Sequence, residues 1–155
     1  MTGWVAQVAP VPTEHGSWWM AWGDGGLLAS ARSRHEADRR ARDAGATRVL
    51  RARPGDAPVE PDWTRMPAGF RGRALRACHL IPRGEVITYA ELARRAGSPR
   101  AARAVGSAMA SNPLPVVIPC HRVVRADGVP GDYAAGGAAA KIRMLCVEGA
   151  LPPGA

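Results

Sequence analysis

Four prolines fall between Pro54 and Ala68, in the stretch PGDAPVEPDWTRMPA. Proline has no N–H to donate and a fixed φ, so such a stretch neither continues a helix nor sits inside a sheet. It splits the chain into a part patterned as strands and a part punctuated by helix caps. We place a small α/β domain at 1–60, a linker at 61–68, a mostly helical second domain at 69–150 and a tail at 151–155. The expected class is α+β. A chain of 155 residues supports one globular unit or two small ones sharing a core.

In the first part, Trp4–Val8 alternates weakly as a strand. Ser17–Trp22 and Leu27–Ala31 are apolar runs separated by Gly23-Asp24-Gly25-Gly26, a strong hairpin signal. Ser33–Ala44 is charged, rich in alanine and free of Gly and Pro, so it reads as a helix capped by Ser33. Thr47–Arg53 reads as a further strand.

In the second part, Phe70, Ala74, Ala77 and Cys78 share one helical face, and Ile81-Pro82 stops that helix. Thr88-Tyr89-Ala90-Glu91 has capping-box form, with Thr88 as cap and Glu91 three residues on. The short helix that follows runs to Arg95, and Gly97 ends it. Ser98-Pro99 reads as the start of the next helix, with Ser98 as cap and Pro99 in its first turn. That helix runs to about Ala110, before Asn112-Pro113. Two short capped helices joined at a glycine form a helix-turn-helix pattern. The second carries Arg100 and Arg103 among small residues, which let a helix sit close to another surface such as a DNA groove. Generic helix packing produces the same pattern.

Charge sharpens this reading. Lys+Arg number 21 against 13 Asp+Glu, for a net charge of +8 and a pI near 10.9. Only Lys141 is a lysine, and an Arg- and Ala-rich chain can reflect a GC-rich genome. The distribution is more telling: Phe70 to Arg125 holds ten Arg against Glu85 and Glu91, while the rest of the chain is balanced. A segregated basic stretch is the footprint of a phosphate-binding face. At 46% hydrophobic residues the chain is too apolar for disorder. No run approaches the roughly 20 apolar residues of a membrane span. MTGWVAQVAP lacks the basic and apolar regions of a secretory signal. Three widely spaced cysteines fit neither a disulfide framework nor a four-ligand zinc cluster. A soluble cytoplasmic protein with reduced thiols is expected.

The segment Pro115-Val116-Val117-Ile118-Pro119-Cys120-His121-Arg122-Val123-Val124 carries the chemistry. Its apolar, β-branched run reads as a buried strand broken at Pro119, which places Cys120 where a core strand ends. A thiol is nucleophilic as thiolate, and a neighbouring base or cation lowers its pKa. His121 and Arg122 are such groups, although neighbours on a strand point to opposite sides, so His121 needs a bend or a bridging water to reach the sulfur. The dipeptide alone is equally compatible with an inert buried thiol, a Cys/His metal pair or a core histidine. Cys78 and Cys146 lie on apolar helical stretches and read as core thiols. His15, His35 and His79 have no partner pattern.

The string AARAVGSAMASNPLPVVIPCHRVV, with TYAELA before it and Gly-Gly, Lys and Glu-Gly-Ala after it, resembles the O6-alkylguanine-DNA alkyltransferase family over roughly Phe70 to Ala150. The Pro-Cys-His-Arg core with Asn-Pro upstream is highly specific, and the first 60 residues match only loosely. The resemblance implies DNA repair by transfer of an alkyl group from O6 of guanine, with O4-alkylthymine as a further candidate substrate, to the protein's own cysteine, once per molecule. It implies a catalytic set of Cys120, His121, Glu148, Asn112 and Tyr89. Cys120 would be activated through His121, a water and Glu148. Asn112 would tie the turn after the recognition helix to the active-site segment. Tyr89 would contact the phosphate of the flipped nucleotide and donate a proton toward guanine N3.

DNA contacts are implied for Arg103, Tyr89, Ala102, Ser98 and Arg100, with Arg103 entering the base stack in place of the extruded guanine. The pocket would be walled by Met109, Val123, Tyr133 and Ala134, with the carbonyls of Cys120 and Val123 accepting from the guanine amine. The implied partner is double-stranded DNA containing alkylated guanine, held through the minor groove by a monomer, with no membrane, metal or organic cofactor. Lys141 matches a family lysine and receives no catalytic role. The chain departs from the family at Tyr133-Ala134-Ala135-Gly136-Gly137, one residue longer than the usual Tyr-x-Gly-Gly, and at Arg71, where a Gln is usual. The zinc ligands of some relatives' N-terminal domains are absent. A second reading of the same fold is a non-catalytic protein that flags alkylated bases, but such proteins lack the acceptor cysteine. A helix-turn-helix regulator would need Asn, Gln or several Arg at the start of the second helix, where Ala dominates.

Overall fold

The structure, a computed structural model, describes residues 3–151. Apart from Leu151, the expected tail lies outside them. The chain forms two compact units. One holds the described residues up to Met66 together with Pro113–Val117; the other holds Pro67–Asn112 and the described residues from Ile118 onward.

The first unit is a four-stranded sheet with one helix. Strands β1 (Trp4–Thr13), β2 (Gly16–Gly23) and β3 (Gly26–Ala31) are followed by helix α1 (Arg34–Asp43) and strand β4 (Ala46–Arg51). The strand order is β3-β2-β1-β4, antiparallel except for the parallel pair β1 and β4. The β2–β3 hairpin turns at Asp24-Gly25, between the paired Gly23 and Gly26, as its glycines require. Ser33 caps α1 by accepting from the Glu36 N–H at 3.2 Å. The core is built mainly of alanines, with Ala6, Ala21, Ala29, Ala37 and Ala41 all buried, so the helix can lie close to the sheet.

Strand β1 runs five residues past the expected Val8, through Pro10 and Pro12. It pairs with β4 only as far as Val8, so beyond that point it has a single partner, β2, and the missing proline N–H groups break no second ladder. Part of the proline-rich stretch follows β3: the Leu27 N–H donates to the Glu60 carbonyl at 2.9 Å and the Asp62 N–H to that of Leu27 at 2.8 Å.

The second unit has helix α2 (Gly69–His79), strand β5 (Ile87–Thr88), helices α3 (Tyr89–Arg95) and α4 (Ala102–Ala110), strand β6 (Val123–Val124) and helix α5 (Gly137–Val147). Strands β5 and β6 pair in parallel. Thr88 caps α3 by accepting from the Glu91 N–H at 3.1 Å. Glu91 does not bond back; its carboxylate binds Arg94 and Arg95. Gly97, at φ +88°, ends α3: its N–H donates to the Arg94 carbonyl and that of Ser98 to the Ala93 carbonyl, both at 3.0 Å.

Two local expectations are corrected. Ser98-Pro99 does not begin α4. Ser98 opens a tight turn closed by the Ala101 N–H on its carbonyl at 2.9 Å, and α4 starts at Ala102 without a side-chain cap. Proline's fixed φ suits the second position of such a turn as well as the first turn of a helix, so sequence alone cannot separate the two. Likewise, Pro115–Val124 is not a strand that ends at the cysteine. Residues 113–118 are bends and turns, Val116 has φ +76°, Cys120–Arg122 is one 3-10 turn, and only Val123–Val124 is extended. Pro113, Pro115 and Pro119 remove the donors a ladder needs. The carbonyls of Pro113 and Pro115 instead accept from the backbone and hydroxyl of Ser30, at 3.0 and 2.6 Å.

Candidate active site

The 3-10 turn places three consecutive side chains in three settings. Cys120 faces a cavity of about 650 Å³, whose lining also includes Tyr89, Met109, Arg125, Tyr133 and Ala134. His121 is completely buried. Its Nε2 lies 2.7 Å from Oε1 of Glu148. Arg122 grips the same carboxylate with two N–H groups, Nε to Oε2 at 2.9 Å and Nη2 to Oε1 at 3.0 Å, and its Nη1 donates to the Ile81 carbonyl at 2.6 Å.

Glu148 is the C-cap of α5. Gly149, at φ +74°, closes the helix there: its N–H donates to the Cys146 carbonyl at 3.0 Å and that of Ala150 to the Leu145 carbonyl at 2.9 Å. A carboxylate at a helix C-terminus meets the negative end of the helix dipole. The bidentate Arg122 offsets this and also offsets the cost of taking the charge out of water. Arg122, expected to act on the thiol, is thus engaged by Glu148.

Asn112 sits just after α4 and donates from Nδ2 to the Ile118 carbonyl at 2.8 Å. It closes the excursion of 113–117 and fixes where the turn bearing Cys120 begins. Burial pushes the Cys120 thiol above its ordinary pKa, while Asn112, Lys141 and backbone N–H groups pull the other way. Burial holds Cys78 much higher, so it stays a thiol at neutral pH. Tyr89 is also pushed up, by burial first and then by Cys120 and Asp132, and so remains a proton donor.

Of the pocket residues expected from sequence, Met109, Tyr133 and Ala134 line the cavity, with Cys120 and Tyr89. Val123 is buried, and its carbonyl accepts from Lys141 Nζ at 2.6 Å. The Cys120 carbonyl accepts from the Val123 N–H. After Tyr133 the chain turns, and the Gly137 N–H donates to the Tyr133 carbonyl at 2.7 Å. Ala134, and not Ala135, is in the lining. Arg103 is exposed on α4. It lies three and seven residues before Gly106 and Ala110, which line the cavity, so it shares their face of the helix. Ala102 and Ser98 are half-buried at the α3–α4 turn, and Arg100 is exposed beside them; Arg71 is exposed on α2.

Sequence reading passed over Arg125, Gly131 and Asp132 in the lining, and the burial of Lys141. The signal for Lys141 was present: it is the one lysine in a chain of 20 arginines.

The chain aligns with the mouse methylated-DNA–protein-cysteine methyltransferase at 58% identity over 75 residues, 48% of this chain and 35% of that protein. It thus spans about a third of the length of that relative. Among solved structures, that of Mycobacterium tuberculosis OGT in complex with DNA has the same fold, with a TM-score of 0.68 at 24% identity over 94% of this chain and 92% of the other. The O6-methylguanine-DNA methyltransferase of Pyrococcus kodakaraensis superposes with a TM-score of 0.64 at 27% identity, over 93% and 99% of the two chains. Residues 69–150, which hold Cys120 and every cavity residue, match the DNA-binding domain of the 6-O-methylguanine DNA methyltransferases, and the chain belongs to that family.

Proposed function

We propose that this chain repairs DNA by transferring an alkyl group from O6 of guanine in duplex DNA to Sγ of Cys120. The observation that carries the reading is the division of labour within one turn. Cys120 faces a cavity, while the adjacent His121 is held by a buried carboxylate. With Nε2 of His121 on Glu148, Nδ1 is the nitrogen that takes up the thiol proton, directly or through a water. The thiolate then attacks the alkyl carbon. The S–C bond forms as the C–O6 bond breaks, and the electron pair stays on the guanine, where a proton from Tyr89 neutralises it. The product is a thioether, and no group in the lining is suited to cleaving it, so each molecule acts once.

The alkylated base must leave the stack to reach the cavity, at a cost of a few kcal/mol. Arg103, on the cavity-facing side of α4, would fill the gap from the minor groove, with Ser98, Arg100 and Ala102 against the strand and Tyr89 at the phosphate. Minor-groove edges discriminate sequence poorly, which suits a repair protein. Met109 and Tyr133 would hold the guanine, and the Ala134 backbone N–H would face its oxygen. O4-alkylthymine would fit the same chemistry.

The test is incubation with a duplex carrying O6-methylguanine labelled on the methyl. We expect at most one methyl per chain, abolished in Cys120→Ala and retained in Cys78→Ala and Cys146→Ala. Tight binding of the damaged duplex without transfer would replace this reading with that of a lesion-flagging protein.

A further inference from the structure

Lys141 is a buried ammonium with no carboxylate partner among the described residues. It is 1% exposed. Its Nζ donates to the carbonyl of Val123 at 2.6 Å and, at 3.5 Å, to that of Asp132, and it lies 5.7 Å from the centre of the Tyr89 ring. All three are neutral groups. An ammonium out of water is costly unless an anion answers it. By contrast Glu148, one helical end away, has both Arg122 and His121. Val123 is three residues from Cys120, and Asp132 and Tyr89 stand with Cys120 in the cavity wall.

From this geometry, and resting on the reading of Cys120 as the nucleophile, we propose that Lys141 is the fixed counter-charge of the Cys120 thiolate. It would be a positioning residue that favours the ionised sulfur from behind the cavity wall and ties the 131–134 segment to β6.

The other charged or titratable groups around the sulfur are accounted for. On its own turn, His121 and Arg122 are held by Glu148 at the end of α5. From α2 and α3, Cys78 and Tyr89 are kept protonated by burial. Arg125, in the lining, places its guanidinium 3.0 Å from Asp127. Asp132 is exposed, so water screens its carboxylate. That leaves Lys141 as a cation with no ion pair among the described residues, answered only at longer range by the exposed Asp132 and by the sulfurs of Cys120 and Cys78. Burial lowers its pKa, and Cys120 is the foremost influence raising it again.

Because the influence is mutual, the proposal can be read from either partner. Cys120 is alkylated with iodoacetamide across a pH series, with mass spectrometry locating the adduct. Lys141→Met should move the inflection up by about one unit, leaving roughly ten-fold less thiolate at neutral pH, and Lys141→Arg should restore most of it. An unchanged inflection in a folded Lys141→Met protein would overturn the proposal.

A second measurement needs no variant. As the chain's one lysine, Lys141 gives a single side-chain Cε signal by NMR. Its titration midpoint should fall by about one unit once iodoacetamide has capped Cys120, and an unmoved midpoint would overturn the proposal. Neither measurement uses DNA. A duplex that transfers no methyl would remove the repair reading while the lysine shift still stood, and the opposite pattern would remove only the counter-charge.

Discussion

Two carboxylates in the second unit are each held by two nitrogen-bearing side chains, and they do very different things. Glu91 sits in the first turn of α3, where the helix dipole favours a negative charge. It binds Arg94 at 2.6 and 2.9 Å and Arg95 at 3.1 Å, and its side chain is 33% exposed. Glu148 sits at the end of α5, where the dipole disfavours charge, and its side chain is wholly buried between His121 and Arg122. The distances are alike. Solvent makes the difference: water screens the first cluster, and in the second each lost partner leaves a charge stranded. The pairs of α3 are local and expendable. The pairs of Glu148 join residues more than 25 positions apart and hold the histidine beside Cys120.

Glu148→Gln should break the comparison most sharply. It strands the Arg122 guanidinium and removes the anion that would stabilise protonated His121. We expect about 3 kcal/mol lost in urea unfolding and roughly 10²-fold slower methyl transfer. A protein as stable and as fast as the parent would mean that the buried cluster is as dispensable as the exposed one.

Gly149→Ala tests the same carboxylate without touching it. The φ of +74° disfavours a side chain, although no atom lies close enough to clash with one. The cost should be about 1–2 kcal/mol. Methyl transfer should slow beyond what the stability loss explains, because Glu148 is then free to shift from His121; unaltered kinetics would show that the closure of α5 matters only to the fold.

The smallest effect belongs to Glu91. Its two arginines hold its pKa at about 2, against an ordinary value of 4.5. A depressed carboxylate contributes stability that is present above its unfolded pKa and is lost as pH falls through its folded one. Its contribution should therefore fade between about pH 4.5 and 2, and added salt should move its NMR midpoint back up. A midpoint near 4.5 at low salt would show that the exposed pairs are absent in solution.

What was legible in the sequence follows one rule: it was what neighbours in the chain decide. Ser33 and Thr88 as caps, Gly97 as a stop and the Gly23–Gly26 hairpin were read from residues within a few positions, and each stands. The start of α4 failed because proline's φ serves a turn and a helix equally. The segment before Cys120 failed because burial and β-branching resemble a strand, while the donors that satisfy its carbonyls lie on Ser30, about 85 residues away in the chain. The pairing of His121 with Glu148 came from the family likeness; no local spacing rule links the two positions.

The amino-acid order by itself determined the caps of α1 and α3, the stop of α3, the hairpin, the basic stretch and a cysteine set among Pro, His and Arg, since propensity, capping and charge act over short distances. Only the tertiary structure decided that Cys120 faces a cavity, that Arg122 serves Glu148 and not the sulfur, and that the lone lysine is buried behind the cavity wall. Burial sets how strongly a charge is felt, and burial is a property of packing that no short stretch of chain contains.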